Sequence, residues 1–167
     1  KILGTDGFRL LFEHAFELTS VLRGLVEMHC NFEPMNQPEL FIFNYRFVPK
    51  EVQEKIEKLM MKINNVRQDL PEHQIQNKWL RRLHNINSVL NELNIELHKE
   101  LREDDNTFVS RTMLDSPIYY YQDIVVLRAI TINPLTTPEI LKEIIELQNT
   151  LGKKIYKAQF ESRLEKL

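Results

Sequence analysis

Glycine is scarce in this sequence: only 4 of the 167 residues are glycine, and 7 are proline. Hairpins, tight turns and phosphate-binding loops depend on glycine, so this scarcity favours helices over sheets. A single cysteine, Cys30, excludes an internal disulfide and fits a reducing compartment, so we expect a cytoplasmic protein. The formal net charge of -2 provides no overall attraction to nucleic acid or to acidic membranes. We therefore expect no nucleic-acid partner.

Long apolar runs without charges are also missing. The apolar stretch near the start of the chain is interrupted by Arg9, Glu13 and Glu17, a density of charge that argues against membrane insertion. Hydrophobic residues make up 43% of the chain and charged residues 28%, as in ordinary globular proteins. These values predict a single domain over residues 1–167. Because the first residue is Lys1 rather than methionine, we expect a fragment of a larger protein.

Apolar residues recur every three to four positions over most of the chain, which is the spacing of amphipathic helices. This spacing predicts a first helix over residues 7–30, a second over 49–68 and a third over 69–103. A last helix is expected to start at Pro138, because Thr137 is a good N-terminal cap. The second and third helices are joined by a short link and should form a long antiparallel hairpin.

The third predicted helix carries apolar residues with the 4-3-4-3-4 spacing of a coiled-coil seam. The residues of this seam are Trp79, Leu83, Ile86, Leu90, Leu93 and Leu97. The seam can pair with the second helix or with a second copy of the chain. A self-associating helical domain and a homo-oligomer therefore stay open as alternatives.

Residues 40–47 carry two conflicting signals. Aromatic side chains occupy every second position from Phe41 to Phe47, which is typical of a strand. Pro38 and Glu39 just before them are typical of a helix start. Because a strand needs a partner and no second clear strand is present, we favour a short buried helix and keep the strand as the alternative.

The region between the third and last helices is also predicted to be helical. It begins with a charged turn over residues 102–106 and a short helix over 108–114. A further helix is expected over residues 117–133, with Asp115 or Ser116 as its N-terminal cap. The expected fold class is therefore all-α, as an irregular helical bundle or a short α-solenoid-like array with a long antiparallel hairpin.

Residues 123–144 read DIVVLRAITINPLTTPEILKEI, with a helix stop at Asn133–Pro134 and a helix start at Thr137–Pro138–Glu139. This pattern resembles one unit of the leucine-rich-repeat-variant family, although one residue that usually separates Pro138 from Glu139 is missing. The resemblance implies an α-solenoid-like scaffold that binds other proteins.

Motifs of reactive residues are not found. The five histidines form no His-Glu-x-x-His pair, and none has an acidic residue three positions before it, so zinc and di-iron sites are not expected. Cys30 lies at the C-terminal end of the first predicted helix, where the helix dipole disfavours a thiolate. We predict no catalytic, cofactor-binding or metal-binding residue and no cofactor, and we lean against an enzyme.

Aromatic residues provide the clearest functional signal. Tyr119, Tyr120 and Tyr121 occupy successive positions of a predicted helix, so they cannot all face one core. Because tyrosine is enriched at binding hot spots, we expect these three residues to contact another protein, together with Trp79 and Arg82 of the third helix.

These observations predict a protein–protein interaction module, such as a scaffold, an adaptor or a regulatory domain. Frequent asparagine, lysine and isoleucine are typical of AT-rich genomes, which makes a secreted bacterial effector in the host cytosol one version of this hypothesis. A second alternative is the helical lobe of an enzyme whose catalytic residues lie outside the fragment.

Overall fold

An antiparallel four-stranded sheet lies at the centre of the chain in the computed structural model, which describes residues 4–38, 40–66, 74–103 and 109–167. The strands are β1 (Phe32–Pro34), β2 (Ile42–Phe47), β3 (Ser110–Ser116) and β4 (Gln122–Ile130), in the order β1-β2-β4-β3. The predicted all-α fold is therefore wrong, and the chain has a mixed α/β architecture.

Helices surround this sheet. They are α1 (Gly4–Met28), α2 (Lys50–Val66), α3 (Gln74–Glu103), α4 (Pro138–Ile155) and α5 (Glu161–Glu165), with a π-helical turn over Tyr156–Phe160. Helices α1 and α3 contact the strands, and α4 packs against both of these helices. The four long helices occupy the segments that their apolar spacing predicts.

Strand β2 shows that the strand signal at residues 40–47 is the correct one and that the favoured helix is wrong. Its partner is β4, with Tyr45 opposite Leu127 and Phe43 opposite Ala129. The strand β4 is not recognisable from the sequence, because its residues Ile124 to Leu127 are all buried. It therefore has apolar residues on both faces and shows no alternation of apolar and polar residues. Such a continuous apolar run fits a buried helix equally well.

The hairpin of β3 and β4 replaces the two helices predicted over residues 108–114 and 117–133. Ser116 and Pro117 do start a helical turn, but it is a 3₁₀ turn that ends at Tyr119. Tyr120 and Tyr121 then adopt φ angles of 56° and 59°, which reverse the chain into β4. Sequence analysis mistakes this reversal for a helix because proline at N1 is equally common at the start of an α-helix.

The same strand contradicts the resemblance to leucine-rich-repeat variants. Only residues 138–144, about the last third of this stretch, are helical, because β4 occupies it as far as Ile130. Asn133 and Pro134 belong to the connection between β4 and α4. The cap of α4 is as predicted, since the Thr137 hydroxyl accepts a hydrogen bond from the backbone N–H of Ile140.

Helix α3 packs against α2, and the seam residues from Leu83 to Leu97 are almost completely buried. Predictions for residues 67–73, which include the end of the second predicted helix and the start of the third, lie outside the described residues. The same holds for residues 104–106 of the charged turn and for Phe108. Within the described part of the chain, no helix is long and apolar enough to cross a membrane.

Candidate functional site

Three asparagines on α3 point into the fork where β2 and β4 separate. The register of the two strands would place Phe47 opposite Val125, but their pairing stops at Tyr45 and Leu127. Asn94 instead takes up both backbone groups of Phe47: its Oδ1 accepts from the N–H at 2.8 Å, and its Nδ2 donates to the carbonyl at 2.9 Å. A side chain of α3 thus replaces the missing strand partner.

Asn91 makes the corresponding contacts with β4. Its Oδ1 accepts from the backbone N–H of Val125, and its Nδ2 donates to the carbonyl of Asp123, both at 2.8 Å. Asn87 lies one turn earlier and donates to the side chain of Gln122 at 2.8 Å. The three amides therefore fix α3 to the sheet by directional bonds as well as by apolar packing.

Arg46 is the centre of a buried polar cluster next to these asparagines. Its Nη1 donates to Asn87 Oδ1 at 3.1 Å, and its Nε donates to Glu33 Oε2 at 2.7 Å. Glu33 lies opposite Arg46 in the pairing of β1 with β2, so the register of the two strands brings this ion pair together. The other carboxylate oxygen of Glu33 accepts a hydrogen bond from the Tyr119 hydroxyl.

The electrostatics of this cluster favour the charged form of Arg46. Burial of Arg46 opposes its positive charge, but Glu33 and Tyr119 more than offset this effect and raise the pKa of Arg46 above its ordinary value. Burial likewise raises the pKa of Tyr119. Arg46 Nη2 has no hydrogen-bond partner among the described residues, but the guanidinium carbon lies 4.5 Å from the centre of the Tyr119 ring, which provides a cation–π contact.

A cavity of about 180 Å³ adjoins this cluster. Its lining includes Glu33, Tyr119 and Gln53, together with apolar side chains of β1 and α2. Both carboxylate oxygens of Glu33 are already bonded within the cluster. The arrangement therefore fits a rigid connection between β1, β2, α3 and the β3–β4 hairpin, and it presents no activated acid, base or nucleophile.

A second cavity, of about 150 Å³, lies between α2 and α3 and is surrounded by cations. Its lining residues are Lys55, Lys58, Leu59, Lys62, Trp79, Arg82 and Ile86. Two of the cations bind the C-terminal segment, since Lys55 Nζ donates to the carbonyl of Leu164 at 2.8 Å and Arg82 Nε donates to that of Leu167. Lys62 Nζ lies 5.1 Å from the centre of the Trp79 ring.

A third, shallower cavity of about 370 Å³ lies between α1 and the connection from β1 to β2. Arg23 and Glu27 are among its lining residues and form an ion pair at 2.7 Å. The described residues include no group of three histidine, cysteine, aspartate or glutamate side chains that could hold a metal ion.

The five residues predicted to contact a partner lie in different environments. Tyr119 is buried in the Arg46 cluster, Tyr120 donates from its hydroxyl to Asn64 Oδ1 at 3.0 Å, and Tyr121 is 74% exposed. Trp79 and Arg82 line the cationic cavity, which has none of the three tyrosines in its lining. The structure therefore does not bring the five into one described cavity, and their contact with a partner stays a prediction.

Sequence analysis missed the residues with the most specific geometry. Asn87, Asn91 and Asn94 follow the i, i+4, i+7 spacing of one helix face, and this spacing was the available signal. Arg46 and Glu33 left no signal of their own, because their contact depends on a strand pairing that the sequence did not reveal.

Comparisons with known proteins show what this architecture is similar to. No family model matches the chain. The aspartate 1-decarboxylase of Aliivibrio fischeri is 28% identical over 152 residues, which covers 91% of this chain and 24% of that protein. The chain thus spans about a quarter of the length of this relative.

Solved decarboxylase structures share the fold. Mouse CSAD superposes with a TM-score of 0.65 and 15% identity over 90% of this chain and 25% of its own. A second match is the glutamate decarboxylase domain of diaminobutyrate-pyruvate transaminase and L-2,4-diaminobutyrate decarboxylase from Vibrio parahaemolyticus. Its TM-score is 0.59 and its identity 14%, over 92% of this chain and 24% of that one. The structure of Oryza sativa TDC with pyridoxal phosphate (PLP) and tryptamine has a TM-score of 0.58 and 14% identity, over 92% of this chain and 25% of its own.

These likenesses contradict the predicted interaction module. The chain is similar to part of an aspartate 1-decarboxylase and shares its fold with the solved decarboxylase structures, so the expected scaffold, adaptor, regulatory domain or secreted effector is wrong. The two alternatives, a self-associating helical domain and a helical lobe of an enzyme, are wrong in their architecture because a sheet forms the centre of the fold.

The described residues do not fit PLP by themselves. A PLP site needs a lysine that bonds to the cofactor and an acidic or basic partner for the pyridine nitrogen. The cationic cavity has three lysines and Arg82 in its lining, but its volume of about 150 Å³ is well below the about 300–1,000 Å³ of ordinary ligand pockets. The cavities beside Glu33 and Glu27 have carboxylates but no lysine. None of these three cavities therefore holds both groups in a space large enough for PLP.

Proposed function

We propose that this chain is one domain of a PLP-dependent amino-acid decarboxylase, with L-aspartate as the first candidate substrate. The observation that carries the proposal is the 28% identity to an aspartate 1-decarboxylase over nearly the whole of this chain. The shared fold with decarboxylases of several other amino acids supports the reaction class more strongly than it supports the substrate.

The role of this domain in such an enzyme is mechanical support. The Arg46 cluster and the α3 asparagines connect strands and helices by buried hydrogen bonds, which resist relative movement of these elements. A sheet held in this way presents a fixed surface to a neighbouring active site, and fixed geometry is what a catalytic site requires of its surroundings.

PLP and its lysine belong to the remaining part of the enzyme in this proposal. When bound, PLP serves as an electron sink that stabilises the carbanion left by loss of carbon dioxide. The described residues of this chain would surround that site rather than react with the cofactor, because none of the three cavities above holds a lysine and a partner for the pyridine nitrogen in a space large enough for PLP.

The test is an amino-acid decarboxylation assay on the full-length gene product supplied with PLP. Loss of the C1 carboxylate converts L-aspartate into β-alanine and carbon dioxide, and both products are measured. L-Glutamate and L-tryptophan serve as parallel substrates. We expect β-alanine and carbon dioxide in equal amounts from aspartate. Turnover of another amino acid alone would overturn the substrate assignment, and no turnover of any amino acid would overturn the reaction class.

A further inference from the structure

The apolar stripe of α1 extends beyond the core that it helps to form. Ala15, Leu18, Leu22 and Val26 are buried against the rest of the domain. The same stripe continues towards the start of the helix through Phe8, Leu11 and Phe12, which follow at the spacing of one helix face. This part of the stripe is only partly covered by the described residues: Phe8 is 53% exposed, and Leu11 is half-buried.

Other aromatic side chains enlarge this uncovered surface. Phe41, in the connection between β1 and β2, stacks on Phe12 with 5.9 Å between ring centres, and Phe16 lies 6.4 Å from Phe41. Phe12 is 41% exposed and Phe16 is 45% exposed. We call this surface the apolar end face and define it by Phe8, Leu11, Phe12, Phe16 and Phe41.

Three charged residues beside the apolar end face, Asp6, Arg9 and Glu13, are paired with one another within α1. Arg9 lies 3.8 Å from Asp6 and 3.2 Å from Glu13. They therefore demand no charged partner, and the chemistry of the face fits an apolar surface. A cluster of exposed aromatic side chains of this kind is typical of an interface and is a liability for a free domain.

We propose that the apolar end face is covered by the part of the decarboxylase polypeptide that lies outside residues 1–167. This inference rests on the proposed function, because the relative and the similar structures are about four times as long as this chain. Their remaining three quarters lie beyond the length of this chain, and the apolar end face is a cluster of exposed aromatic side chains against which that part can pack. Covalent linkage gives such a contact a high effective concentration, which favours it over pairing with a second copy.

The test compares oxidation by hydroxyl radicals in the full-length gene product and in the 167-residue chain. We expect oxidation of Phe8 and Phe12 to fall several-fold in the full-length protein, including its monomeric fraction. Met28, at the opposite end of α1 and 79% exposed, is the internal control and should react equally in both. Equal oxidation of Phe8 and Phe12 in both proteins would overturn the inference. Protection that appears only in the dimeric fraction would overturn it as well. So would the finding that the full gene product is no longer than this chain.

A variant pair provides an independent readout. Replacing Phe8 and Phe12 by serine should lower the Tm of the 167-residue chain slightly, through loss of the Phe12–Phe41 contact, and should lower the Tm of the full-length protein considerably more. Met28→Ser should change neither. An equal response of both proteins to the double substitution would contradict the inference. If the phenylalanines are protected but no amino acid is decarboxylated, the proposed function fails while the assignment of the face stands.

Discussion

Gly152 of α4 lies directly against the ring of Phe47 in β2. A Cβ atom at position 152 would come within 2.7 Å of ring atom Cε2 and within 2.8 Å of two further ring atoms. Phe47 is completely buried, so its ring has no free space into which it can move. The glycine therefore allows the close approach of helix and sheet, and α4 continues through it to Ile155.

Substitution of Gly152 by alanine should destabilise the chain. Alanine gains about 1 kcal/mol of helix propensity, but overpacking against a buried ring costs about 1–3 kcal/mol or more. We expect a net loss in the free energy of unfolding, measured with urea. The matched control is Gly24→Ala in α1, where no atom lies within 4 Å of the new Cβ, and this change should stabilise the chain. A stabilising Gly152→Ala would contradict the packing described here.

Substitution of Asn94 by alanine should lower the free energy of unfolding, because Asn94 bonds the backbone of Phe47 where the pairing of β2 with β4 has ended. The change leaves the N–H and the carbonyl of Phe47 without partners in a buried site, at about 1–3 kcal/mol for each group. The control is Asn85→Ala, an exposed position on the same helix, which should change the free energy of unfolding little. Equal effects of the two substitutions would show that the Asn94 amide does not replace a strand partner.

Substitution of Glu33 by glutamine should destabilise the chain strongly, because it leaves the guanidinium of Arg46 buried without a carboxylate. Breaking such a pair typically costs about 3–5 kcal/mol. The control is Glu57→Gln in the lining of the same cavity, and urea unfolding should show little change. Replacing both members, as Glu33→Gln with Arg46→Met, should recover part of the loss. A double variant less stable than Glu33→Gln alone would contradict this account of the cluster.

The ion pair between Arg163 of α5 and Glu92 of α3 should make a small contribution that depends on pH. Two hydrogen bonds, of 2.8 and 2.9 Å, from Arg163 hold the pKa of Glu92 below its ordinary value. A carboxylate of this kind stabilises the fold at pH values above its ordinary pKa, and the contribution disappears as the pH falls through the lowered pKa. Because both side chains are about half exposed, we expect less than about 1 kcal/mol.

The measurement for this pair is the free energy of unfolding at pH 7 and at successively lower pH values, for the original chain and for Arg163→Gln. The difference between the two should be present at pH 7 and should shrink in acid. Arg81→Gln, at an exposed position of α3, is the control. A difference that grows as the pH falls would contradict the assignment.

Local signals predicted the helices well. Thr137 and Pro138 mark the start of α4, and the seam of α3 marks the face that is buried, because capping and helical periodicity are properties of neighbouring residues. The sheet was missed because its evidence is not local. Phe43 and Tyr45 need β4 as a partner, and β4 is buried on both faces, so its apolar run was assigned to a helix.

The cluster of Glu33, Arg46 and Tyr119 was less predictable from the sequence than the strands were. Glu33 and Arg46 are 13 residues apart and meet only through the pairing of β1 with β2. Tyr119 joins them from a hairpin whose turn depends on positive φ angles at two tyrosines, a conformation that such residues seldom adopt. The proposed PLP-dependent reaction left no signal in the sequence of this chain, since none of the three cavities fits the cofactor.

The central claim is that this chain belongs to a PLP enzyme whose cofactor lysine lies in another part of the polypeptide. The most direct measurement is borohydride reduction of the full-length gene product loaded with PLP, followed by mass spectrometry of its peptides. The account predicts one modified lysine, located outside residues 1–167. Stoichiometric modification of a lysine within this chain, such as Lys58 or Lys62 of the cationic cavity, or of no lysine at all, would contradict it.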